Sequence, residues 1–170
     1  MFFYTCFPVI TASVAAAMDL LAGKVDNGWI LFCMGTGLVF RILAEGIRAV
    51  PLFAAGMIFP FICLWGLFVF RMLGAGDIKL FCALGGIMGI QKIGSCILVS
   101  FSIGAVISLG ILISNGDLGQ RLQYLAAYIR ELRHTGKIRP YYKKGLNASE
   151  NFHFTVPVFL SVVLYAGGVY

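Results

Sequence analysis

The sequence predicts an all-α, polytopic membrane protein of about six transmembrane helices, with a basic amphipathic cytoplasmic segment before the last span. Three observations carry this. Hydrophobic residues make up 60% of the chain and charged residues 12%, where soluble domains carry roughly 25% charged. The apolar residues fall in continuous runs close to the ~20 residues that a helix needs to cross a bilayer. Those runs lack the period-two alternation of a membrane β-barrel, which leaves helices to satisfy the backbone in lipid. All 170 residues read as one membrane-embedded domain, residues 1–170.

The first span runs from Phe3 to Leu21. Its apolar run and the small residues after it imitate a secretory signal. The basic leading region of a signal is absent, so the run reads as a retained helix. The second span, Gly28 to Leu43, is short and carries Arg41 near its end. Pro51 opens the third, which lasts to Phe70; proline is tolerated in a helix's first turn, where the N–H has no partner anyway. The fourth begins in "GAGD", Gly74 to Asp77, and runs to Ile90. The fifth covers Ile93 to Ile113 and the sixth Phe152 to Val169. Between these two lies a polar loop, 115–151, in which Leu118, Leu122, Leu125, Ile129 and Leu132 fit an amphipathic helix on the membrane surface.

Charge placement orients the chain. Seven of the 13 Lys and Arg residues lie between Arg121 and Lys144, and the others stand singly at the ends of apolar runs. That is the pattern of the positive-inside rule, and it argues against a nucleic-acid partner. With the N-terminus outside, the cytoplasmic side receives Lys24, Arg71, Lys79 and the seven loop residues, ten in all. The outer side keeps three, Arg41, Arg48 and Lys92. The basic 121–144 segment then faces anionic lipid headgroups. Cys6, Cys33, Cys63, Cys82 and Cys96 sit in apolar runs with no C-x-x-C pair, which predicts packing and no metal site. Gly85 and Gly89, and Ser100, Gly104 and Ser108, recur at four-residue spacing and predict close helix contacts.

Against this background Asp77 needs a reason. A carboxylate inside a bilayer costs roughly 2.5–3.5 kcal/mol or more, so such residues are functional candidates. A plainer reading also stands: Asp77 caps the fourth helix, where a negative charge is favourable, and Gly74 and Gly76 form the turn before it. Asp19, at the inner end of the first span, lies on the same cytoplasmic side. Two carboxylates sharing a site split their titrations and hold one proton between them. Such a pair can activate water against a peptide carbonyl and protonate the leaving amine. The other acidic residues act as controls. Asp26, Asp117, Glu131 and Glu150 read as solvated loop residues, and Glu45 pairs weakly with Arg41 at four-residue spacing. His134 and His153 do not form a catalytic pair, and His153 reads as an interfacial residue opening the last span.

The stretch "GAGDIKL", Gly74 to Leu80, resembles the G-x-G-D-x-K-L signature of the type IV prepilin peptidases, a branch of the GxGD membrane aspartic proteases. "DLLAGKVDN", Asp19 to Asn27, is similar to that family's D-x5-I-P-N segment, with Val25 and Asn27 in register. "FHFTVPVFLSVVLYAGG" resembles the final span of its small members. The resemblance implies a catalytic dyad of Asp19 and Asp77, supported by Gly74, Gly76 and Lys79, with no metal and no organic cofactor. It implies as partner a prepilin or pseudopilin precursor, cut after a short basic leader at the cytoplasmic face of the inner membrane. Pilus, secretion, competence and archaellin-type substrates are not separated by these residues. Asp26 replaces the family's proline and offers a possible contact for the basic leader. The four-cysteine insertion of the larger members is absent, which speaks against an accompanying N-methyltransferase activity. The basic loop ahead of the last span would repel a basic leader. A second reading makes the chain a non-enzymatic membrane subunit or small ion-coupled transporter using the same aspartates. Transporters usually place them near mid-membrane within repeated halves. Here both stand at one face, and no repeat is visible.

Overall fold

The computed structural model describes residues 2–70, 72–114, 130 and 153–170. Among the described residues the regular structure is helical: α1 (Phe2–Ala22), α2 (Asn27–Glu45), α3 (Ala49–Val69), α4 (Ala75–Met88), α5 (Ile90–Ser114) and α6 (Thr155–Ala166). Helices α1, α2, α3 and α5 are long and apolar enough to cross a membrane. α4 and α6 are shorter, at 14 and 12 residues. The chain divides into two compact units, one of Met1–Ile103 with His153–Tyr170 and one of Gly104–Phe152. Of the second unit, the end of α5 and Arg130 are described. The predicted surface helix and the rest of the basic 121–144 segment lie outside the described residues.

The helix ends have local causes. α1 stops at Gly23, whose φ of +65° suits glycine. Its N–H closes the last turn on the Asp19 carbonyl at 2.8 Å. α2 starts at an N-cap: Asp26, expected to be a solvated loop residue, accepts the Trp29 backbone N–H at 3.2 Å through Oδ2. Between α4 and α5 the expected short connection shrinks to Gly89, at φ +87°. A Cβ there would meet nothing within 4 Å. Gly89 therefore breaks a helix, and the predicted packing role falls to Gly85 alone.

α4 sits in the interior of the first unit, packed against α1, α2 and α3. Leu80, Phe81, Ala83, Leu84 and Ile87 are all fully buried. Beyond the charged Asp77 and Lys79 near its start, α4 is apolar all round, as suits a helix that other helices surround. By contrast Leu31, Ile62 and Leu98 each expose about 70% of their surface, as lipid-facing side chains do in the long helices. α3 approaches α4 backbone to backbone. A Cβ on Gly56 would lie 2.2 Å from the Gly85 carbonyl oxygen, and one on Gly85 2.1 Å from that of Gly56. At the far end of α4, Arg41 Nη1 donates to the Gly86 carbonyl at 3.2 Å. The same guanidinium meets Glu45 at 3.3 Å, the pair that their spacing predicts. Tyr4 adds its hydroxyl to Glu45 at 2.7 Å, which ties α1 to α2 there.

Candidate active site

Asp77 is the third residue of α4, whose N-cap is Gly74. Its carboxylate stands on the side of Gly74, where the third residue of a capping box turns back to the N-cap. The plainer reading of Asp77, a helix cap, has this placement behind it. The glycines work differently from expectation. Gly74 has an ordinary extended backbone, φ −72° and ψ 148°, and neither Gly74 nor Gly76 has a positive φ. What matters at Gly74 is the missing side chain, since a Cβ would crowd Asp77 Oδ2 at 3.0 Å.

Asp19 occupies the last turn of α1, and α1 packs against α4. The two carboxylates, 58 residues apart in sequence, act on each other electrostatically, and His153 also acts on Asp77. The two predicted aspartates thus stand on separate helices that pack against each other. It also adds two residues that the sequence reading passed over. His153 Nδ1 lies 2.9 Å from Asp19 Oδ2, and the Thr155 hydroxyl donates to the same oxygen at 2.8 Å. His153, expected as an interfacial residue, thus also contacts Asp19. A carboxylate in a helix's last turn faces the negative end of the macrodipole, at a cost of about 0.3–1 kcal/mol. A hydrogen bond to a charged group contributes about 1.5–3 kcal/mol, so the Thr155 hydroxyl alone offsets that cost. This was the available signal: an aspartate at a helix C-terminus needs donors from elsewhere.

Lys79, one turn beyond Gly74, donates through Nζ to Asn27 Oδ1 at 2.9 Å. A Cβ on Gly76 would rest in ordinary contact with Val25, at 3.9 Å. The segment leading into α2 is thereby laid along the first turn of α4. Beside it a groove of about 570 Å³ runs between α2, α3 and α4, with Met34, Met57, Phe61 and Cys82 on its apolar wall and Asn27 and Lys79 among its lining. An apolar segment can lie there alongside the helix that carries Asp77. Asp26 is exposed and engaged as the α2 cap. Among the described residues no cluster of three or more His, Cys, Asp or Glu is arranged to hold a metal ion.

The fold defines a helical membrane protein with an aspartate on each of two packed helices. The chain matches the type IV leader peptidase family over residues 6–109, a stretch that contains both aspartates, and it belongs to that peptidase family. Curated proteins and solved structures yielded no match. His153 and Thr155 lie outside the matched stretch.

Proposed function

We propose that this protein is an aspartic endopeptidase of the inner membrane. It removes a short basic leader from prepilin-like precursors at the cytoplasmic face, using Asp19 and Asp77. The observation that supports the proposal is that Asp19 acts electrostatically on Asp77 across two packed helices, α1 and α4, within a leader-peptidase family match. Two neighbouring carboxylates share one proton. The ionised member takes a proton from water as the water oxygen attacks the peptide carbonyl carbon. The protonated member hydrogen-bonds the developing oxyanion. Collapse of the tetrahedral intermediate breaks the C–N bond, and a proton passes to the departing nitrogen. Gly74 keeps the space beside Asp77 open, and Lys79 holds Asn27 and its segment against α4.

The test uses membranes carrying the protein and a reporter precursor. The reporter has a lysine- and arginine-rich leader ending in glycine, followed by an apolar helix of about 20 residues. Mass spectrometry is expected to show the leader and the shortened reporter as two products, absent from membranes without the protein. A reporter left intact, across several leader sequences, would favour the ion-coupled or non-enzymatic reading.

A further inference from the structure

We propose that His153 and Thr155 are positioning residues for Asp19. They anchor its Oδ2 so that Oδ1 is the oxygen left to face water and substrate. The proposal rests on the dyad reading above and goes beyond it, because it makes the two aspartates unequal. Both contacts converge on one oxygen, at 2.9 Å from His153 Nδ1 and 2.8 Å from Thr155 Oγ1. In the tautomer with a proton on Nδ1, His153 and Thr155 both donate to Oδ2 and occupy it. Oδ1 is then the Asp19 oxygen left for water or the scissile peptide.

The donors are themselves held firmly. Thr155 opens α6 and is 1% exposed. Phe154, between the two donors, packs its ring against Phe101 and Phe81, with centroids 4.9 and 6.3 Å away. Further along α6, Val158 and Val162 are fully buried in the same core as Ala12 and Ala15 of α1. The Ser161 hydroxyl binds the Cys96 carbonyl at 3.0 Å and ties α6 to α5. The start of α6 is thus a fixed mount for Asp19. A carboxylate held by one oxygen keeps its other oxygen in one direction, and misplacement of a reacting group by about 1 Å can cost 100-fold in rate.

The experiment measures kcat and KM for the reporter precursor with T155V, T155S, H153A, H153N and D19N, after membrane insertion of each is quantified. T155V removes the hydroxyl at nearly constant shape, and T155S keeps it. H153A removes the ring donor, and H153N keeps an amide nitrogen near the position of Nδ1. T155V and H153A are expected to lower kcat about tenfold with KM little changed, as the loss of one charge-assisted hydrogen bond implies. T155S and H153N are expected to recover most of that loss. Wild-type kcat in both T155V and H153A, with D19N inactive, overturns the positioning role and leaves the dyad intact. Equal losses in T155S and T155V, or in H153N and H153A, also overturn it, since packing would then be the cause. Activity in D19N removes the dyad reading, and this proposal with it. Should T155V fail to insert, the His153 pair decides by the same criteria.

Discussion

Asp26 stands where the family resemblance would have a proline, and its carboxylate is engaged at the start of α2 through the Trp29 N–H. That contact gives the side chain a sufficient structural reason. Asp26→Ala is expected to cost about 1 kcal/mol of stability, the usual worth of an N-cap, read as a lowered unfolding midpoint in detergent. Asparagine caps as well as aspartate, so Asp26→Asn separates the cap from the charge. The half-saturating precursor concentration should stay within about twofold of wild type. A clear rise would support the leader contact. Asp77 was legible because its motif is local, four residues from Gly74 to Asp77. The partners of Asp19 were not, because His153 and Thr155 arrive from 134 and 136 residues away. Only the packing of α6 on α1 brings them in.

Among the elements, α4 decides where the chemistry can sit. Its first turn carries Asp77, and its remaining turns are sealed by α1, α2 and α3. The backbone-to-backbone approach of α3 and α4 depends on two glycines, and the sequence marked one of them. The four-residue spacing of Gly85 and Gly89 suggested a stripe, yet Gly89 ends the helix and the true partner of Gly85 is Gly56. Spacing within one helix cannot name the glycine facing it on another. Gly56→Ala forces a Cβ to 2.2 Å from a backbone oxygen. Separating the helices to relieve it should cost on the order of 2 kcal/mol. Thermal unfolding in detergent measures this, and an unchanged midpoint would mean that the helices separate freely. Helix boundaries were legible to within a few residues because apolar runs end at Gly23, Gly46 and the polar 71–79 stretch. The shortness of α6 was not, since the apolar run continues to Val169 beyond its last turn at Ala166.

At the scale of the whole molecule, the all-helical membrane architecture follows from composition and run length. With ten basic residues on one side and three on the other, we propose that the end of α1 and the start of α4 face the cytoplasm. In a cysteine-free background, Lys24→Cys should react with a membrane-impermeant thiol reagent from the cytoplasmic side and Arg48→Cys from the outer side. The reverse pattern would put the dyad on the wrong face for a leader peptidase of cytoplasmic precursors. The central claim is that Asp19 and Asp77 work as one unit, and it is tested most directly by the rate of reporter cleavage in D19N, D77N and the double variant. Each substitution preserves shape and removes one ionisable oxygen. Each single variant should lose at least 1000-fold in kcat/KM, about 4 kcal/mol of transition-state stabilisation, within the usual range for general acid–base groups. The double variant should then be no slower than the worse single one. A single variant that keeps a tenth or more of wild-type activity would contradict the account.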